Sequence, residues 1–485
     1  MADDRPNILL IMTDQQRGDC LGVEGHPVLM TPNMDSIAGA GTRFSKAYTT
    51  CPVCIPARRS LMSGQFPSTH GVVGYYETEE WDAALSMPSA LKQAGYQTFI
   101  TGRNMHQYPP TKRYGFDHMV DNRTHYRDWL EDHVPVRSFQ PAGDYYSSGV
   151  MHNDWTARPW HHDEDLHMTN WTVNEALRFL KNRDPSCPYF LVVSFLAPHP
   201  PLVPPAFYMD RYLRQDLPDP IVGDWEAEPE GGWPGRDVSN LHVDLKGEAL
   251  RSCRAAYYGL INHIDDQIRR ILNPVDSKMD HANTVVMFTS DHGEMLGDHH
   301  FFRKSLPYEP SARIPLLVSA PERFGVRKGA VVDNAVALED IMPTVLDFAG
   351  VPVPDSVDGT SLLPLLRGET PAWREYLHIE HGYGINDMPH HTLTNGREKF
   401  IWFAADGREQ YFDLVADPNE CRNLIASDAH RERIAHWRGR LIDELEDRPE
   451  GFVADGKLVP GRPYPPYFDP ATKPTKSGTG AAATT

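Results

Sequence analysis

The chain has 485 residues, 40% hydrophobic and 23% charged. That composition suits a folded protein with a sizeable core and excludes a disordered, collagen-like or coiled-coil chain. Lys and Arg number 47 against 66 Asp and Glu, a net charge of −19, so neither nucleic acid nor an anionic membrane is an expected partner.

In chain order, residues 7–12 are a continuous apolar run, the pattern of a strand buried on both faces. It stops at Asp14-Gln15, a carboxylate at a strand end. Residues 87–95 predict a helix closed by Gly95, and 97–101 and 189–195 predict further strands. Residues 249–272 predict a long helix with Leu260, Ile264, Ile268 and Ile271 on one stripe. Strands follow at 284–289, which stops before Asp291-His292, and at 316–318. The stretches 107–168 and 214–247 read as long loops beside a ligand face. Beyond 373, residues 399–403 and 409–414 suggest antiparallel strands and 430–445 a helix. The expected fold is α/β: a large, mostly parallel sheet sandwiched by helices, with a smaller C-terminal α+β subdomain. No run approaches the roughly 18 apolar residues of a membrane-spanning helix. The opening Met-Ala-Asp-Asp-Arg-Pro lacks the basic and apolar regions of a signal peptide. The expected location is therefore cytoplasmic, or periplasmic or secreted if a signal peptide has been removed.

The chemistry centres on Cys54-Ile55-Pro56-Ala57-Arg58, a Cys-x-Pro-x-Arg followed by Ser60-Leu61 and Ser63-Gly64. Alone, the motif reads as a buried cysteine beside a helix start. Cys51-x-x-Cys54 lacks a thioredoxin-like setting, and no further ligands follow at zinc-finger spacing. The histidine pairs His161-His162 and His390-His391 read as surface or cleft residues. Asp14 and Asp291, with the Gln15 amide and His292, offer a donor set for a hard divalent cation. Ala197-Pro198-His199-Pro200 follows a strand, as does Arg103-Asn104-Met105-His106, and Lys304 closes the run from Gly297.

Taken together, these segments resemble the type I, formylglycine-dependent sulfatases of the alkaline-phosphatase-like superfamily, over roughly residues 5–445. The expected division is a sulfatase-like catalytic domain over 1–372, a subdomain over 373–472, where the residue pattern changes, that shapes the substrate cleft, and a disordered tail over 473–485, read from its Gly/Ala/Thr/Ser-rich composition. The resemblance implies that a converting enzyme turns Cys54 into formylglycine. The metal, Ca2+ with Mn2+ or Mg2+ left open by His292, would be held by Asp14, Gln15, position 54, Asp291 and His292. Arg58, His106, His199 and Lys304 would join position 54 in catalysis, and Arg103, Asn104 and His300 would bind substrate. The chain departs from the family pattern at Ala57, Gln15, His292 and the Arg103-Asn104 pair. A sulfate ester is an anion whose cleavage adds charge to the leaving oxygen. Cations at its oxygens and an acid at the leaving group are what the chemistry needs. The expected activity is hydrolysis of a carbohydrate, aryl or alkyl sulfate, on a sulfated small molecule or oligosaccharide. The alternative is a phosphonate monoester or phosphodiester hydrolase. A non-catalytic metal- and anion-binding protein is the alternative of another class.

Overall fold

The computed structural model describes residues 5–78, 80–81, 85–134, 149–150, 153–227, 229, 241–273, 279–383 and 388–467. Its central sheet is built from β1 (Asn7–Asp14), β2 (Thr42–Phe44), β3 (Gln97–Gly102), β4 (His118–Asp121), β5 (Tyr189–Pro198), β6 (Thr284–Ser290), β7 (Leu316–Ser319) and β8 (Ala330–Val332). The strands lie in the order β8-β2-β7-β6-β1-β5-β3-β4. β1 runs parallel to both β5 and β6, with Leu10 opposite Val192 and Met287. Only β7, among these, is antiparallel to its neighbours β2 and β6.

Among the described residues, the helices of seven or more residues that flank it are α1 (Pro32–Ala40), α2 (Cys54–Ser63), α3 (Met87–Gln93), α4 (His125–His133), α5 (Met168–Asn182), α6 (Ala206–Leu213), α7 (Gly247–Leu272) and α8 (Ile341–Ala349). Successive strand residues point to opposite faces, so each central strand serves two cores. Leu9, Ile11, Leu191 and Phe288 pack with Leu260, Ile264 and Ile268 of α7. Ile8, Leu10, Val192 and Met287 pack with Leu61 of α2, Leu91 of α3 and Val345 of α8. Because β1, β3, β4, β5 and β6 point the same way, their C-terminal ends share one rim, where open α/β sheets bind ligands.

β9 (Leu377–His381), β10 (His390–Thr394), β11 (Glu398–Phe403) and β12 (Glu409–Asp413) form an antiparallel sheet in that order. Trp437 and Leu441 of α9 (Arg431–Leu445) cover one face. The Glu380 N–H donates to the Thr50 carbonyl (2.9 Å). Buried Lys399 pairs with Glu420 (2.6 Å) and with Glu309 of the main body (3.0 Å).

Two expectations need correction. The stretch 107–168 is not loop throughout, because it holds β4 and α4. β4 is a short, partly exposed edge strand with no apolar run, and α4 buries only Tyr126 and Leu130. His390 and His391 are not surface residues: both are fully buried in β10. The 473–485 tail lies outside the described residues.

Burial in this sheet carries a pH dependence. Neither ring nitrogen of His381 has a hydrogen-bond partner among the described residues. Burial draws its pKa from 6.5 down to about 4, with Glu380 opposing. The folded ring therefore stays neutral while the unfolded one takes a proton, and stability falls as pH drops from the unfolded value through the folded one. The loss should approach roughly 3 kcal/mol between about pH 6.5 and about pH 4. His381→Phe should flatten that part of the urea-unfolding profile. A variant with the wild-type slope would exclude His381 as its source.

Candidate active site

Position 54 opens α2, with Val53 extended before it. The positive end of the helix dipole therefore faces the rim, a setting that favours anions. The thiol is 1% exposed. Its sulfur stands 3.1 Å from His292 Nε2, 3.2 Å from Lys304 Nζ, 3.7 Å from Asp14 Oδ1 and 3.9 Å from Arg103 Nη2. These partners come from the ends of β1, β3 and β6 and from the loop after β6, distant in sequence and gathered by the parallel sheet. Burial and the Asp14 carboxylate push the Cys54 thiol up. Lys304 and His292 pull it down, and the net lies below the ordinary thiol value.

Arg58, one turn along α2, is fully buried. Its Nε donates to Asp291 Oδ2 (2.8 Å) and its Nη2 to Asp14 Oδ2 (3.1 Å). Its Nη1 donates to the Asn104 carbonyl (3.0 Å) and to Ser194 Oγ on β5 (3.1 Å). Arg58 thus occupies one oxygen of each carboxylate, and the Oδ1 atoms turn toward His292 Nε2, at 3.8 Å for Asp14 and 3.7 Å for Asp291. Burial would raise the Asp14 carboxyl, but Arg103, His199, Arg58 and Lys304 outweigh it and hold it well below the usual carboxylate range. His292 Nδ1 donates to the Gly293 carbonyl (2.9 Å), which turns Nε2 toward the cluster. Burial would lower the pKa of this ring, but Asp291 and Cys54 raise it above the ordinary histidine value, and Nε2 becomes a ligand atom when the ring gives up its proton to a cation.

Asp14, Cys54, Asp291 and His292 offer donor atoms all within 4.8 Å of one another. Two carboxylate oxygens, an oriented imidazole and position 54 fit a divalent cation. Gln15 sits beside this cluster in the left-handed region (φ 71°), which an ordinary side chain adopts only when its surroundings dictate it. Its carbonyl accepts from Tyr257 Oη (2.7 Å) and its N–H donates to Asp291 Oδ1 (3.1 Å). Its amide nitrogen donates to Glu294, and its amide oxygen accepts from Lys304 Nζ (2.9 Å). The expected metal oxygen is engaged with Lys304.

His199 lies just past β5, its N–H donating to the Asp14 carbonyl (3.1 Å). Its Nδ1 donates to the Pro200 carbonyl (2.5 Å). Arg103 pairs with Asp14 and donates from Nη2 to His106 Nε2 (3.0 Å). A guanidinium only donates, so that nitrogen of His106 is an acceptor. Burial, then Arg103 and Arg58, draws His106 well below the usual histidine value, so it is neutral near pH 7.

A cavity of about 220 Å³ opens over Cys54, Arg103, His199 and Lys304. Its remaining walls are Tyr75, Asn122 and Arg123 after β4, Asn153, Leu241 and Arg303. Two expected substrate residues are absent from this lining. Asn104 spends its Oδ1 on the His106 N–H (3.2 Å) and its carbonyl on Arg58, so it shapes the turn. His300 pairs instead with Asp244 (3.2 Å). No described lining residue belongs to 373–472. The described residues of that segment hold the 50–54 loop through the bond from Glu380 to Thr50 and pack beside the Tyr75 wall through Pro466 and Tyr467. Glu294, Ser194, Asn122 and Arg123 were not predicted to act in the site. Only Glu294, two residues after His292, lay beside a recognised motif.

The family model for sulfatases matches residues 6–351, and that for the C-terminal part of N-sulphoglucosamine sulphohydrolase matches 297–447. An arylsulfatase of Clostridium perfringens is 43% identical over 476 residues, covering 95% of this chain and 98% of that one. A multifunctional alkaline phosphatase superfamily protein of Trinickia caryophylli is 30% identical, covering 93% and 99%. The phosphonate monoester hydrolase of Agrobacterium radiobacter superposes with a TM-score of 0.76 at 26% identity, covering 90% and 95%. With a family match over most of the chain and these motifs on one rim, the chain belongs to the sulfatase family, the sulfuric ester hydrolases of the alkaline-phosphatase-like superfamily.

Proposed function

We propose that the protein hydrolyses a sulfate ester of a small molecule or oligosaccharide, using formylglycine made from Cys54 by a separate converting enzyme. Asp14, Asp291 and His292, with position 54, would hold the divalent cation. The carboxylates favour Ca2+, while the imidazole admits Mn2+ or Mg2+. The observation that carries this reading is the convergence of His292, Lys304, Asp14 and Arg103 on the Cys54 sulfur. When present, the cation and the hydrated aldehyde supply Lewis acidity and a nucleophilic hydroxyl.

The chain's own groups supply the rest. Lys304 and Arg103 present N–H donors to the sulfate oxygens, where charge is greatest. Arg58 keeps Asp14 and Asp291 ionised and fixed. His199 has its Nδ1 proton committed to Pro200, which assigns protonation of the leaving oxygen to Nε2. His106, kept neutral by burial, is the base we assign. In that role it would release the bond it accepts from Arg103.

His199→Ala should lower kcat/KM by about 10²–10³ with phenyl sulfate, whose leaving group needs a proton. With 4-nitrophenyl sulfate, whose leaving group does not, the loss should be far smaller. Equal losses would remove His199 from the acid role.

The likeness to a phosphonate monoester hydrolase favours a second reading, phosphonate ester cleavage at the same site. Converted protein assayed on 4-nitrophenyl sulfate and on the 4-nitrophenyl ester of phenylphosphonate should show the higher kcat/KM on the sulfate. The reverse order would favour the second reading, and turnover of neither would contradict both.

A further inference from the structure

Beyond the sulfate subsite, the cavity carries more positive charge than one sulfate ester needs. Arg103, Arg123, Arg303 and Lys304 line it, and no Asp or Glu does among the described residues. This is notable in a chain of net charge −19. Arg103 is committed to Asp14, and Lys304 stands over position 54. A sulfate monoester brings a single negative charge to them.

Arg123 stands apart from that group. It lies on the turn that leaves β4, at the edge of the sheet. The turn is pinned at both residues: the Asn122 N–H donates to the Gly102 carbonyl (2.9 Å), and the Arg123 N–H donates to Asp121 Oδ1 (2.9 Å). The backbone carrying Arg123 is therefore fixed against β3, the strand that delivers Arg103. The guanidinium is half exposed. Its ion pair, with Glu77, has a separation of 4.0 Å and side-chain exposures of 52% and 48%. Such a pair contributes little, so a ligand carboxylate or sulfate can displace it at small cost. The field of Arg123 also reaches into the site, since it helps lower the pKa of His106. The lining also carries Leu241 and Tyr75, whose hydroxyl donates to the same Glu77 that Arg123 faces, and these suit an apolar or sugar-ring face beside the charged groups.

Resting on the sulfate-ester reading above, we propose that the natural substrate carries a second anionic group near the scissile sulfate, a carboxylate or another sulfate, and that Arg123 is the specificity residue that holds it. A planar guanidinium can meet either group with paired N–H donors. The substrate class is thus an acidic sulfate ester, such as a carboxylated aryl sulfate or an acidic sulfated sugar.

The test compares 3-carboxyphenyl sulfate with phenyl sulfate as substrates, and 3-sulfobenzoate with benzenesulfonate as inert ligands measured by calorimetry. The wild type should favour the dianion about tenfold in each pair, the size of one charge-assisted contact, expressed in KM and Kd. Arg123→Ala should bring both ratios close to one, and Arg123→Lys should restore part of the preference. Glu77→Gln, which removes the competing carboxylate, should raise both ratios. A wild type without preference, or an Arg123→Ala variant that weakens both members of a pair equally, would overturn the proposal. The second result would reduce Arg123 to general steering of anions. If the converted enzyme turns over neither ester, the hydrolase reading fails, and the calorimetric ratio still decides the role of Arg123.

Discussion

Cys54→Ala is expected to lower turnover of a sulfate ester by about five to six orders of magnitude, the scale seen when a hydrolase loses its nucleophile. The substitution removes one atom from a crowded centre and should leave the centre standing. Lys304 loses its 3.2 Å contact with sulfur but keeps the Gln15 amide oxygen at 2.9 Å. Asp14 and Asp291 keep Arg58, and His292 keeps its bond to the Gly293 carbonyl. The variant should therefore fold and retain divalent-cation binding, measured by metal analysis after dialysis. A Cys54→Ala protein with more than about 1% of wild-type turnover would mean that chemistry does not pass through position 54.

The second large effect falls on stability. Arg58→Ala should cost about 3–5 kcal/mol, because it takes the shared cation from two fully buried carboxylates, leaving Asp291 with backbone N–H donors and Asp14 with Arg103. It also leaves the Asn104 carbonyl and Ser194 Oγ without their donor and opens a cavity behind α2. Arg58 helps hold Asp14 ionised, so the deficit should shrink as pH falls into the range where that carboxyl can protonate. A saturating divalent cation should also narrow it, since the freed carboxylates gain another positive partner. Urea unfolding with and without the cation measures both effects. A loss below about 1 kcal/mol would show that the Arg58 network does not anchor the site.

Much of this site was legible in the sequence because it is built from strand ends. A strand buried on both faces must be apolar throughout, so Asp14 and Asp291 stand out where the runs stop. His199 after β5 and Arg103 after β3 were singled out by the resemblance to sulfatase segments, and both follow the ends of their strands. Two features hid what was missed. β4 has four partly exposed residues and no apolar pattern, so the turn bearing Asn122 and Arg123 looked like any polar loop. The aim of an amide is also not written in its own residue: Gln15 faces Lys304 because Glu294 holds its other end. The histidines of β10 misled for a related reason. Both faces of that strand are covered, so His390 and His391 are buried despite their polar spelling.

The account stands or falls on the chemical state of position 54 in active protein. The measurement is the mass of tryptic peptide 47–58, from protein co-produced with a converting enzyme, read beside turnover of 4-nitrophenyl sulfate. The account predicts a peptide lighter than the cysteine form, reactive toward carbonyl reagents at position 54 and still alkylated at Cys51, with turnover rising in proportion to the converted fraction. Full turnover from protein whose Cys54 remains an alkylatable thiol would contradict it.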